Sequence, residues 1–305
     1  MKLQPKQIID GEEQHYVPRL LLRAWQVKTP KGIRVWTYDF ASRSVNPQSV
    51  RNIMFEENYY DRSPGGSVDP FISPIENRVA PTLARIRHLR ELPPLSPSEQ
   101  RMLALFVSIQ LLRTPIIRST LERIKVGTFS RPDGREAASP AEFDECYPEM
   151  TATDVQFDFL TSWSFKYAKH LFTKLWTVDI TPPDAPLVIS DNPVFTRHQF
   201  SFDDANEQLR QSTFYLPIDP HLVLAFIPHH LVQPLKPSYR RGVNNQMLSG
   251  KAYIDQKEVA LLNECQAFQA SRYLVGDSPD FSWLSQIDRR KRKSKSSDTE
   301  IDGQP

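Results

Sequence analysis

The chain has 305 residues, 39% of them hydrophobic and 10% aromatic, at a mean hydropathy of −0.47: enough apolar material for one large domain or two packed ones. Its net charge of +2 splits into a tail of +3, with six cations between Arg289 and Lys295, and a body near −1, which excludes a global positive field for nucleic acid. Two cysteines, Cys146 and Cys265, without CxxC or Cys/His spacing exclude a disulfide framework or zinc finger, and no apolar run reaches the ~20 residues of a bilayer span.

Residues 1–13 are polar and expected to be ragged, and no secretory segment follows the N-terminal lysines, so a cytoplasmic location is expected. VPRLLLRAW (17–25) is too short to stand alone and predicts a docked helix. IRVWTYDF (33–40) predicts a strand in a hairpin with the residues before it, and NIMFEENYY (52–60) a mixture of turn and strand. Over 68–92, Ile72, Ile75, Val79, Leu83 and Ile86 recur at helical spacing, with Pro74 placed in the first turn and Pro81 threatening a kink. A second helix is expected over 99–117, capped by Ser98 and apolar almost all round, hence central.

Residues 126–150 mix glycine, proline and charge and read as an exposed excursion, followed by a third helix over 151–172. The pattern then changes to strands at 175–180, 186–190, 212–219 and 222–228, separated by proline-rich turns. A helix from 257 ends in a strand at RYLVG, and a disordered basic tail is expected over 285–305. The fold class that follows is α+β, with a helix-rich N-terminal half packed on a small, mainly antiparallel sheet from the C-terminal half.

Polar side chains on inward faces are the functional clue, because burying them without partners is unfavourable. Glu76 borders the apolar stripe of its helix, and Gln110 and Arg113 lie three apart on the near-apolar helix, so Glu76 and Arg113 are expected to pair. Ser190, Asp191 and Asn192 follow the apolar strand PLVI, a common place for a site. His15 precedes the first helix and is placed over the same core. Each feature has a structural alternative: an ion pair, an Asx turn, a packed histidine. Walker A, GxGxxG, GxSxG and HExxH are absent, and His229-His230 has no ligand set at a recognised spacing.

HYVPRLLLRAW, NYYD, IENRVAPTL, FVSIQLLRTP, KLWTVDI, VISDNPVF, FYLPIDPHLVL and LLNECQAFQASRYLVG occur in this order over about 14–277. In these blocks the chain resembles the mainly bacterial family named domain of unknown function 4238, as a single family domain. Trp25 stands where that family more often has phenylalanine, and the 127–150 excursion and basic tail look particular to this chain. The resemblance implies hallmark positions at His15, Glu76, Gln110, Arg113, Ser190, Asp191, Asn192 and Asn263, but no activity.

Three functions fit such a set. One is a hydrolase of a phosphoester, nucleotide or nucleic-acid substrate, with His15, Glu76, Arg113 and Asp191 catalytic. There, Arg113 holds an anionic oxygen, His15 is acid or base, and Asp191 orients it or holds a divalent cation, although no metal motif is present. Gln110, Ser190, Asn192 and Asn263 then position substrate. The others are a non-catalytic ligand-sensing protein of stress or defence, and a purely structural polar network. The partner expected is a small anionic or polar ligand, with nucleic acid admitted only through the basic tail or a patch the sequence does not reveal, and no membrane.

Overall fold

The computed structural model describes residues 13–61, 66–129, 139–197, 209–232 and 247–285. The disordered tail expected over 285–305 falls outside these residues from 286 onward, and so does the N-terminal stretch up to 12; Glu13 already pairs with Glu57. Strand β1 (Glu13–His15) leads into α1 (Arg19–Leu22), prolonged by a 3-10 turn (Arg23–Trp25). Leu21, Leu22 and Trp25 are fully buried, so this segment docks as its length requires. Strands β2 (Val27–Thr29) and β3 (Gly32–Asp39) form the expected hairpin, with Gly32 at φ +94 in its turn. Strand β4 (Ser44–Gln48) adds to β3, and β5 (Phe55–Glu57) returns to β1 with Phe55 opposite His15.

Helix α2 (Asp69–Leu89) buries the predicted stripe Ile72, Ile75, Val79, Leu83 and Ile86. It starts early enough, at Asp69, that Pro70 holds the second helical position and Pro74 lies past the first turn, and the helix runs through Pro74 and Pro81 alike. Helix α3 (Pro97–Leu112) differs from expectation at both ends. Its cap is Ser96, not Ser98: Ser96 Oγ accepts from the Glu99 amide and the Glu99 carboxylate from the Ser96 amide, with Pro97 at the first helical position. It stops at Leu112 rather than 117, because Pro115 pushes Thr114 into extended geometry (ψ 155). Helix α4 (Pro115–Lys125) then leaves at a bend of 50°.

The 126–150 excursion holds α5 (Pro140–Cys146), capped by a Ser139/Glu142 box of the same kind, while residues 130–138 lie outside the described ones. The third predicted helix is α6 (Ala152–Asp158), a π turn (Phe159–Trp163) and α7 (Ser164–Phe172) in succession. Helix α3 is buried at every residue from Leu103 to Leu112, packed between α2 and α7, which is why its sequence is apolar all round.

The remaining elements are β6 (Leu175–Ile180), β7 (Ile189–Ser190), β8 (Phe195–Thr196), β9 (Phe214–Asp219), β10 (Leu222–Ile227), α8 (His229–Val232), β11 (Met247–Tyr253), α9 (Gln256–Gln269) and β12 (Tyr273–Gly276). One sheet has the order β11-β6-β10-β9-β8 and is antiparallel except where β11 joins β6. The second runs β2-β3-β12-β7 with β4 also on β3, so it draws strands from both ends of the chain. The fold is α+β, but strands occur throughout; a helical first half against a sheet second half is not its arrangement. Among the described residues no single helix is long and apolar enough to cross a membrane.

Candidate functional site

The early end of α3 creates the first cluster. Arg113 lies just beyond the last helical residue with no exposed surface. Its Nη1 donates to Glu76 Oε1 at 2.6 Å and its Nε to Gln110 Oε1 at 3.1 Å, so the pair expected from the two helix faces is present. The Glu76 side chain keeps 23% exposure, so the cluster meets solvent on its carboxylate side. Burial opposes charge on Arg113, yet Tyr60 and Glu76 together hold its pKa above the ordinary arginine value. Two buried donors, Arg113 Nη2 and Gln110 Nε2, have no hydrogen-bond partner among the described residues.

His15, at the end of β1, is close enough to this cluster to feel the charge of Arg113. Its Nε2 lies 3.1 Å from the Val50 carbonyl and its ring packs on Phe55. Burial, followed by the charges of Arg19 and Arg113, outweighs the bond to Val50 and lowers its pKa to about 4, so the ring is neutral at pH 7. The Tyr60 hydroxyl donates to the His15 carbonyl, and burial raises the Tyr60 pKa strongly.

Four members of this region escaped sequence reasoning: Tyr59, Tyr60, Arg118 and Gln156. Arg118 lies 3.8 Å above the Tyr59 ring and donates to the Tyr59 carbonyl and to Gln156 Oε1. Gln156 Nε2 in turn donates to the carbonyl of Leu112, which the break between α3 and α4 leaves without a helical partner, and to that of Thr114, which also accepts the Ile117 amide. The doubled tyrosine in NYYD and the arginine one turn into α4 were the available signals.

The second cluster gathers around Ser190-Asp191-Asn192-Pro193. Asp191 is 1% exposed, and its carboxylate accepts three backbone N–H groups: Ser271 at 2.8 Å, Arg272 at 2.5 Å and Tyr273 at 3.0 Å. Ser190 Oγ accepts from the Asn192 amide and donates to the Asn192 carbonyl, closing a turn. Helix α9 lays amides along the same segment. Asn263 accepts from the Val188 amide and donates to the Pro186 carbonyl, and Gln266 accepts from the Ser190 amide and donates to the carbonyls of Asn192 and Pro193. Gln266, 1% exposed, was not singled out from the sequence; its position three residues after Asn263 was the signal.

The hallmark positions therefore fall into two groups. Glu76 and Gln110 bond the buried Arg113 guanidinium, and His15 lies near enough to feel its charge. The side chains of Ser190, Asp191 and Asn263 hold backbone, whereas the buried Asn192 Oδ1 has no hydrogen-bond partner among the described residues. Both Asp191 oxygens are engaged by the 271–273 amides, whereas the expectation had this carboxylate orienting His15; the His15 ring instead faces the Val50 carbonyl. The buried Tyr16 ring stands between the groups, 5.4 Å from Tyr59, with its pKa raised by burial and then by the charge of Asp191. Asn263 also lines a cavity of about 480 Å³ walled by Leu187, Val188, Val259 and Trp283. Among the described residues no group of three or more His, Cys, Asp or Glu side chains is placed to hold a metal ion.

A family model described as protein of unknown function (DUF4238) matches residues 13–280. No curated protein and no solved structure matches the chain.

Proposed function

The chain belongs to the DUF4238 family, and from that premise we propose that the Glu76–Gln110–Arg113 cluster receives a small polar or anionic ligand through an acceptor oxygen. The observation that carries this reading is the pair of buried, unpartnered donors, Arg113 Nη2 and Gln110 Nε2. Buried N–H groups are nearly always satisfied, and leaving one unmade is unfavourable by about 1–3 kcal/mol. A ligand oxygen accepting from both removes two such penalties. Glu76 already balances Arg113, so an uncharged carbonyl or hydroxyl, or a singly charged anion, suits the site better than a dianion.

Hydrolysis of a phosphoester or nucleotide bound at this cluster is the second reading. His15 is the acid–base group on which this reading rests; neutral at pH 7 but lowered to about 4 by burial and by the charges of Arg19 and Arg113, it is a weak base, which makes binding the first reading.

Thermal-shift measurements on the chain against nucleosides, nucleotides, sugars and small carboxylates test the binding reading. A ligand at a hundred times its Kd adds about 2.7 kcal/mol, a rise in Tm of several degrees. Gln110→Glu keeps the acceptor for Arg113 Nε while replacing the free donor, so it should remove that rise. A shift that survives this substitution, or no shift with any compound class, overturns the assignment. Product formation lost in His15→Asn would favour the catalytic reading over simple binding.

A further inference from the structure

A different set of cations converges at one end of the β11-β6-β10-β9-β8 sheet. Strand β10 runs antiparallel to both β6 and β9, with Ile227 opposite Leu175 and Phe226 opposite Phe214. The start of β6, the end of β10 and the start of β9 therefore share one sheet edge. The C-terminal end of α7 arrives there too, since only Thr173 and Lys174 separate it from β6. This topology brings His170, Lys174, Arg210, Gln211, His229 and His230 around a cavity of about 440 Å³. Among the described residues its lining contains no carboxylate.

Lys174 is the unusual member. It is 3% exposed, and its ammonium donates to the backbone carbonyls of Arg210 at 3.2 Å and Ser212 at 2.9 Å. That occupies two of its three donors and supplies no counter-charge. Buried ammonium groups are strongly disfavoured unless paired, and burial alone pulls this one down to about 8. His170 feels the same field: burial, then Lys174, Arg210 and Lys166, push its pKa down. Arg210 and His230 are exposed, so the cavity opens to solvent on its cationic rim.

We propose that this cavity is a second binding site, for the phosphoryl group of a small phosphorylated molecule, with Lys174 at its floor and Arg210, His229 and His230 at its rim. A tetrahedral dianion supplies the counter-charge that Lys174 lacks among the described residues, offers several acceptor oxygens to donors converging from three chain segments, and leaves room in the cavity for a small body. This site differs in charge from the Glu76–Arg113 cluster, where the guanidinium already has its carboxylate.

Isothermal titration of the whole chain with inorganic phosphate, with sodium acetate at matched ionic strength, and with a short single-stranded oligonucleotide tests the assignment. Saturable phosphate binding that acetate does not reproduce is expected. Lys174→Met should weaken it at least tenfold. Because that buried substitution could impair folding, Arg210→Ala and His230→Ala, both exposed, should each weaken it several-fold with an unchanged melting temperature. Gln110→Glu, at the other cluster, should leave it intact. Absence of saturable phosphate binding, equal binding of acetate by the Gln110→Glu chain, or full affinity in all three cavity variants overturns the proposal. Oligonucleotide binding without phosphate binding overturns it as well, by assigning this edge to nucleic acid.

Discussion

Asp191→Asn changes the charge and one atom of a side chain whose two oxygens together accept three backbone amides. Oδ1 receives the Ser271 N–H, and Oδ2 receives those of Arg272 and Tyr273. Asparagine has one acceptor and a two-hydrogen donor in place of the second oxygen. With its oxygen at the Oδ2 position it keeps two bonds, now without charge assistance, and turns Nδ2 against the Ser271 N–H. Losing one bond to a charged group removes about 1.5–3 kcal/mol, and weakening the other two removes about 0.5 kcal/mol each. The opposite rotamer loses two bonds and is worse. Destabilisation of about 3 kcal/mol is therefore expected, measured as a lower urea midpoint at pH 7 with an unchanged slope. This departs from both sequence-level alternatives, a replaceable turn and a pocket carboxylate whose loss spares the fold. A loss below about 1 kcal/mol would refute the reasoning, by showing that the 271–273 amides do not depend on the carboxylate.

At the other cluster the partners are unequal. Arg113 is fully buried and Glu76 partly exposed, so Glu76→Gln should lower stability by about 3–5 kcal/mol in urea denaturation and Arg113→Met by clearly less, since Glu76 can rehydrate. The folded pKa of His15, about 4, lies below its unfolded value near 6.5, so its contribution is complete above pH 6.5 and is lost as pH falls toward 4. Screened by its partial exposure, that loss amounts to about 1–2 kcal/mol, and the urea midpoints of His15→Asn should show a correspondingly smaller drop between pH 7.5 and 4.5. Trp25 donates from its indole to the Leu187 carbonyl at 2.8 Å in a fully buried position. Trp25→Phe should therefore lower stability by about 1–3 kcal/mol, read from the same denaturation curves.

Local signals were legible wherever the physics was local. The stripe on α2, the strand 175–180 and the helix-then-strand order at the end all follow from periodicity. Two misplacements had their correct signals in plain sight. Ser96-Pro97 followed by Glu99 is a capping box that Ser98 obscured, and Pro115 announces the end of α3 through its effect on Thr114. Glu76 and Arg113 could be paired because each was a charge on an apolar face. Asp191 could not be placed, because its partners are backbone amides about 80 residues further on, which leave no mark on side-chain type. For the same reason its segment suggested a pocket from sequence, whereas its bonds in the structure hold two chain segments together.

Strand β12 lies between β3 and β7, pairing Tyr273 with Asp39 and Leu274 with Ser190. The Arg272 guanidinium seals the same seam on Asp39, 233 residues earlier. During synthesis the hairpin made by the first forty residues thus waits for almost the whole remaining chain before its open edge is covered. At about 5–20 residues per second that interval is on the order of 10–50 s. Over this time β3 offers bare backbone groups to any neighbouring strand, including that of another nascent copy. A ribosome that stalls or terminates before Tyr273 releases a polypeptide with helices but without its closing strand, a species suited to chaperone capture or aggregation. Production of the protein should therefore respond more sharply to C-terminal truncation than the small size of β12 suggests.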